Sequence, residues 1–155
     1  PITGLYNVNY EGSGDMYPKG GNMLHTLRQI VNDDTKWREI LRGLNKDFYH
    51  QVVDGSQIEN YISQKTGMDL KPLFDQYLRD VRIPVFEYYV KDNDFTFRWT
   101  NCVQRFNMPL KVWVAGTAKN INPSSRWTTI KLDSSNPEIL VDKDYYVAVL
   151  NMMGR

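Results

Sequence analysis

Residues 85–101 read VFEYYVKDNDFTFRWTN. Phe95, Phe97 and Trp99 alternate with Thr96, Arg98 and Thr100, the two-residue period of a strand that buries one face. Residues 85–90 are rich in β-branched and aromatic side chains, and Asp92, Asn93 and Asp94 supply turn residues between the two runs. The stretch predicts a β-hairpin with one aromatic face. It also marks a change of character, because Pro84 stands just before it, helical periodicity precedes that proline and short β-branched or aromatic runs follow it. We therefore divide the chain into a helical region, residues 1–83, and a strand region, residues 84–155.

Working outward, further strands fit residues 110–115, 127–132, 139–141 and 145–150, with turns at NINPSS (120–125) and DSSNP (133–137). Short strands at this spacing predict a small antiparallel β-sandwich, immunoglobulin- or fibronectin-like, which is too small to stand alone and should lean on the helices. Upstream, Pro18 opens a first helix over 18–32, with Met23, Leu24, Leu27, Ile30 and Val31 on one stripe. Gly20 and Gly21 near its start cost about 1 kcal/mol each against Ala, which fits either a tight helix crossing or a close-approaching ligand. A second helix, capped by Asp34, carries Trp37, Ile40, Leu41, Leu44 and Phe48. A third follows Gly55, with Ser56 and Glu59 spaced as a capping box, and stops at Gly67. A fourth, capped by Asp69, aligns Leu70, Leu73, Phe74, Tyr77 and Leu78. Residues 1–16, with Pro1, Gly4, Gly12 and Gly14, read as an extended lead-in. The fold class expected is α+β, a four-helix region followed by the sandwich.

Composition excludes several partners. Nineteen Lys and Arg against 18 Asp and Glu leave a net charge of +1, and no basic cluster exceeds a pair, so we expect no nucleic-acid partner. No apolar run reaches the ~18 residues of a membrane span. Cys102 is the single cysteine, which rules out an intramolecular disulfide and fits a small core residue. A chain that opens on Pro1 rather than Met is expected to be a piece of a longer protein.

The histidines are His25 and His50; there is no His-Glu-x-x-His and no Cys-x-x-Cys, so no zinc site of recognisable spacing is expected within this chain. His25 falls opposite the apolar stripe and reads as solvated or at an interface. Lys19 precedes Gly20 without a Gly-Lys-Ser/Thr order, and no Gly-x-Ser-x-Gly occurs, so neither a phosphate loop nor a nucleophile elbow is present. Asp33 and Asp34 read as helix-start carboxylates. Tyr17 remains. A phenol just ahead of a helix, between glycines and the Lys19-Gly20 pair, is free to point into a cleft and donate a hydrogen bond to a developing oxyanion.

Residues 15–31, DMYPKGGNMLHTLRQIV, resemble the Tyr-x-Lys-Gly-(small)-x-x-Leu-x-x-Leu segment of the aminopeptidase N family of zinc-dependent gluzincin peptidases. Residues 55–88, GSQIENYISQKTGMDLKPLFDQYLRDVRIPVFEY, are similar to that family's closing pattern: a helix ending at Gly, a Leu-x-x-x-Phe-x-x-(Trp/Tyr)-Leu helix, then Pro and strands. The resemblance implies that residues 1–83 are the end of a thermolysin-like catalytic domain. It implies that Tyr17 stabilises the tetrahedral intermediate, with Lys19 and Gly20 as motif companions that have no assigned part. The family's zinc ligands have no counterpart here. The chain is therefore expected to be a C-terminal fragment, inactive alone, that binds no cofactor itself. The intact parent would carry zinc, bind peptide substrates and remove their N-terminal residues, with the missing N-terminal half as this fragment's partner and a periplasmic or secreted home.

On that reading the stripes of the first and fourth helices should expose apolar surface, and Gly12, Gly14, Gly20 and Gly21 leave room for backbone near a substrate. The alternative is a non-catalytic protein- or glycan-binding module using Trp99, Trp113, Trp127 and the Tyr88-Tyr89 and Tyr145-Tyr146 pairs. A third reading keeps the family fold but loses the metal ligands in the parent.

Overall fold

The structure, a computed structural model, describes residues 14–153. Pro1, Gly4 and Gly12 of the expected lead-in lie outside them. After a short 3-10 turn at Gly14–Met16, helix α1 (Pro18–Val31) begins at its proline and ends on Asn32, whose left-handed φ of 50° lets its N–H reach the Arg28 carbonyl. Helix α2 (Asp34–Asp47) is capped by Asp33, not Asp34: the Asp33 carboxylate accepts the Lys36 N–H at 3.0 Å. Asp34, one residue inside, instead accepts hydrogen bonds from Arg28 Nε and Nη2, each at 2.8 Å. Helix α3 (Gly55–Thr66) has its capping box at Asp54 and Gln57, two residues before the expected Ser56 and Glu59. Asp54 is the residue with extended backbone, so its side chain reaches the Gln57 N–H at 2.9 Å while the Gln57 side chain accepts the Asp54 N–H at 2.8 Å. Gly67, at φ 74°, ends the helix.

The fourth helix departs further from expectation. Its α-helical part, α4, spans only Lys71–Phe74, with Leu70 at the cap position, and continues as a π-helical turn at Asp75–Arg79. Asp69 does not cap it beyond accepting the Lys71 N–H at 3.2 Å. The wide turn brings both Gln76 and Tyr77 inward, each with no exposed surface. The buried Gln76 amide is satisfied at both ends, donating to the Arg82 carbonyl at 2.7 Å and accepting the Val103 N–H at 2.6 Å.

Seven strands follow among the described residues: β1 (Val85–Lys91), β2 (Asp94–Thr100), β3 (Leu110–Val114), β4 (Thr117–Ile121), β5 (Thr128–Lys131), β6 (Ile139–Val141) and β7 (Ala148–Asn151). They form a sheet in the order β5-β2-β1-β7 and a second in the order β4-β3-β6. The hairpin read from residues 85–101 is β1-β2, with Phe86 opposite Trp99, Tyr88 opposite Phe97 and Val90 opposite Phe95, all six buried. Strand β4 was not among the expected strands and runs into the turn expected at 120–125, since Thr117, Ala118 and Asn120 are exposed and carry no apolar alternation. Pairing there is set by the two-residue turn before it, Ala115 at φ 48° and Gly116 at φ 78°. The strand expected at 145–150 starts at Ala148 and pairs with β1 in parallel, the exception to otherwise antiparallel ladders.

Tyr145 and Tyr146 are withdrawn from that strand because they dock the segment before β7 onto the helices. The Tyr146 N–H donates to the Thr26 hydroxyl at 3.0 Å, and its carbonyl accepts the Tyr77 phenol at 2.7 Å. Met23, Leu27 and Ile30 of α1 and Leu73, Phe74 and Tyr77 of the fourth helix share one buried cluster with Phe106, Met108 and the sheet aromatics. Most of the helical stripes expected to be open is thus covered by the chain's own strand region, because the small sheets complete their core on those faces, while Leu24 of the first stripe stays 41% exposed. Trp99 anchors the centre, fully buried, with its indole N–H on the Met108 carbonyl at 3.0 Å.

Burial pushes the Tyr77 phenol far above its ordinary pKa, so it remains a donor throughout the folded range. Tyr77→Phe removes that donor and leaves the Tyr146 carbonyl short of a partner. The expected loss is about 1–3 kcal/mol, a fall in Tm of about 2–4 °C per kcal/mol at this chain length, measured by thermal unfolding. An unchanged Tm would show that the junction does not depend on this bond.

Candidate functional site

Tyr17 sits between the 3-10 turn and α1 with helical backbone angles, φ −78° and ψ −64°. Its N–H donates to the Gly14 carbonyl at 3.3 Å and its own carbonyl accepts the Gly21 N–H at 2.9 Å, so the backbone is tied into the turn on both sides. The side chain makes no cap bond and is 76% exposed. The phenol therefore projects outward from the helix start. A Cβ added at Gly14 or Gly21 would meet nothing within 4 Å, so the chain's own packing requires glycine at neither position. That removes the tight-crossing explanation for Gly21 within the described residues. Gly43 is the opposite case, since a Cβ there would run into the Tyr61 hydroxyl.

Below Tyr17, Lys19 turns inward. It is 7% exposed, and its Nζ donates to the Asp80 backbone carbonyl at 2.5 Å. Burial lowers its pKa, opposed by the carboxylates of Asp15 and Asp80. Asp15, Pro18, Lys19, Val81, Ile83 and Tyr146 line a cleft of about 230 Å3 beside the helix start. Asp80 is held in turn by Arg82, which donates to it from its backbone N–H at 2.8 Å, Nε at 2.9 Å and Nη2 at 2.7 Å. Those hydrogen bonds hold the Asp80 carboxyl down at about 2. Sequence reasoning gave Lys19 no part, yet one signal was present: a cation in a helix's first turn opposes the macrodipole.

The remaining candidates separate. His25 is partly exposed, with Nε2 3.4 Å from the Asp144 carboxylate, a contact between α1 and the segment before β7. His50 is exposed in the turn after α2, edge-on to Tyr49 at 4.2 Å. Among the described residues no group of three or more His, Cys, Asp or Glu stands together to hold a metal ion. The described residues therefore do not themselves form a zinc site. Cys102 is half-buried, and burial raises its thiol pKa.

The aromatic residues of the alternative reading are split. Trp99, Tyr88 and Tyr145 are core residues, and burial with the nearby Asp142 pushes the Tyr145 phenol up to about 12. Trp127 and Tyr89 share the outer sheet face, their rings 5.5 Å apart. Arg98 stacks on Trp127 at 4.3 Å and pairs with Glu87 at 2.8 Å. Trp113 is half-buried, with Lys111 5.1 Å above its ring.

No family model matches the sequence, and no curated protein matches it. Among solved structures the fold is similar to that of Legionella pneumophila aminopeptidase A, solved in complex with aspartic acid, at a TM-score of 0.72 and 13% identity. The likeness covers 88% of this chain and 18% of that one, so the chain spans less than a fifth of that enzyme's length. At this identity the likeness establishes a shared fold, running from the helices into the sheets. No helix among the described residues is long and apolar enough to cross a membrane.

The Asp80 contacts carry a pH dependence. Its pKa is about 2 in the folded chain against 3.8 ordinarily, so its contribution is fully present above about pH 4 and is lost as pH falls through about 2. The Tm advantage of the wild type over Asp80→Asn is therefore expected to shrink between pH 4 and pH 2 in parallel thermal scans. A constant difference across that window would mean that Asp80 titrates normally.

Proposed function

We propose that this chain is part of a zinc-dependent aminopeptidase, contributing the last helices of its catalytic domain and the sandwich after it, with Tyr17 as an oxyanion donor. The observation that carries the reading is the placement of Tyr17. It occupies the tyrosine position of the Tyr-x-Lys-Gly motif, its backbone is locked into a turn, and its phenol projects outward. The fold likeness to an aminopeptidase supports the same reading, since it spans both the helices and the sheets.

The part Tyr17 plays follows from ordinary hydrogen-bond chemistry. Attack of water on a peptide carbonyl places negative charge on its oxygen, and a phenol O–H aimed at that position lowers the barrier because it binds the charge that develops. Open space at Gly14 and Gly21 leaves the backbone on both sides of the phenol accessible to an extended substrate. Zinc would be held by polypeptide outside this chain and would polarise the carbonyl and acidify the attacking water. Peptides with a free N-terminus are the substrate class, and the polypeptide bearing the metal is the partner of the Tyr17 side. The chain alone is inactive on this reading.

In the full-length protein, Tyr17→Phe is expected to lower kcat on aminoacyl anilides by on the order of 10²- to 10³-fold with KM within about twofold, the pattern of a donor used only in the transition state. Steady-state kinetics decides it. Wild-type turnover in that variant would remove Tyr17 from the chemistry, and absence of any peptidase activity in the wild-type full-length protein would remove the functional reading altogether.

A further inference from the structure

We infer that Lys19 is a positioning residue: it clamps the turn bearing Tyr17 to the segment that joins the helices to the sheets, and so sets the direction in which the phenol points. The inference rests on the reading of Tyr17 as the oxyanion donor. Lys19 is the one buried side chain between Gly14 and Gly21, and the one buried cation among the described residues. Nothing in the helix itself favours it there, since a cation in the first turn meets the positive end of the macrodipole. Burial adds a desolvation cost, so a retained lysine at this point calls for a compensating contact.

The contact is to main chain. Lys19 Nζ donates to the carbonyl of Asp80, 61 residues away. That acceptor does not drift. The Asp80 carboxylate takes three hydrogen bonds from Arg82, and the Arg82 carbonyl accepts the buried Gln76 amide. The ammonium thus grips a segment fixed from both sides.

Helix geometry turns this grip into an aim. Tyr17 already has helical backbone angles, so residue 19 lies about 200° further round the axis. With Lys19 pinned inward, the phenol is directed outward, away from the joining segment. The two side chains never need to touch. Tyr17 has no cap bond of its own and glycines at 14, 20 and 21 add no side-chain contacts, so Lys19 joins the turn's backbone hydrogen bonds and the cleft lined by Asp15, Val81, Ile83 and Tyr146 in resisting its rotation. The acceptor that Lys19 Nζ reaches is main chain of this protein, which is the contact a positioning role requires.

Two measurements test this. In the full-length protein, Lys19→Met is expected to lower kcat about 10- to 100-fold with KM within about twofold, yet to cost less than about twofold more when added to Tyr17→Phe, because its effect passes through Tyr17. An equal loss in both backgrounds, or no loss in the first, overturns the inference. In this chain by itself, amide hydrogen exchange of Gly21, whose N–H is bonded to the Tyr17 carbonyl, is expected to quicken at least tenfold in Lys19→Met. The Asn32 amide at the far end of α1 should keep its protection, which also reports that the variant is folded. Unchanged Gly21 protection overturns the clamp. Should Lys19→Met not fold, Lys19→Gln, too short to reach Asp80, gives the same comparisons. If the full-length protein shows no peptidase activity, the functional reading falls while the exchange data still decide whether Lys19 holds the turn.

Discussion

The peptide group of Tyr146 is the point on which the rest of the molecule closes. Its N–H is taken by Thr26 of α1 and its carbonyl by Tyr77 of the π-helical turn, so this single residue, two positions ahead of β7, is held by two separate helical elements. Around it the Tyr77 ring lies 5.8 Å from that of Tyr146 and 6.4 Å from that of Phe106. Buried backbone groups left without partners would each cost a few kcal/mol, and here both are satisfied by side chains from sequence-distant positions. Helices and sheets consequently share a single core. Neither set of elements would keep its apolar faces dry alone, and a sheet of short strands gains from the helices the burial that its own size denies it.

That junction also sets the stage for Tyr17. The joining segment after the fourth helix is stiffened at Gln76, Asp80 and Arg82, and α1 lies against it through Lys19. The wide turn at Asp75–Arg79 matters because it brings the polar Gln76 inward beside Tyr77, where its amide bridges the joining segment and the loop after β2. Buried polar groups of this kind contribute less through net energy than through uniqueness, since a slipped arrangement would strand each of them. The result is a closed scaffold from whose helix start the phenol of Tyr17 projects into the open.

A fold shared with part of an aminopeptidase at 13% identity fits this picture of the core. Burial constrains volume and polarity at a position more than identity, so an arrangement of helices and sheets can persist while most residues change. Function is constrained by groups at defined places, and the proposed site offers a phenol, a buried ammonium and a cleft, with no metal-ligand set among the described residues. The weight of the functional reading therefore rests on Tyr17 rather than on the overall likeness.

Features governed by neighbours a few residues apart were legible in the amino-acid order. Pro18 at a helix start, Gly67 at a helix end and the alternation of Phe95, Phe97 and Trp99 each act over one turn or one strand, and each lies where local rules put it. Cap positions slipped by one or two residues because Asp33 and Asp34, or Asp54 and Ser56, offer similar chemistry and only the backbone angle chooses between them. For the site, Tyr17 was singled out by its setting together with the family resemblance, whereas the inward course of Lys19 could not be read.

What tertiary structure decided were the pairings across long separations. The parallel course of β7, the burial of the fourth helix's apolar face and the grip of Lys19 on Asp80 all depend on partners brought close only by the closed fold. A lysine reads as solvated from its chemistry alone. It is buried here because a fixed carbonyl 61 residues away meets its ammonium, and no local pattern encodes that meeting.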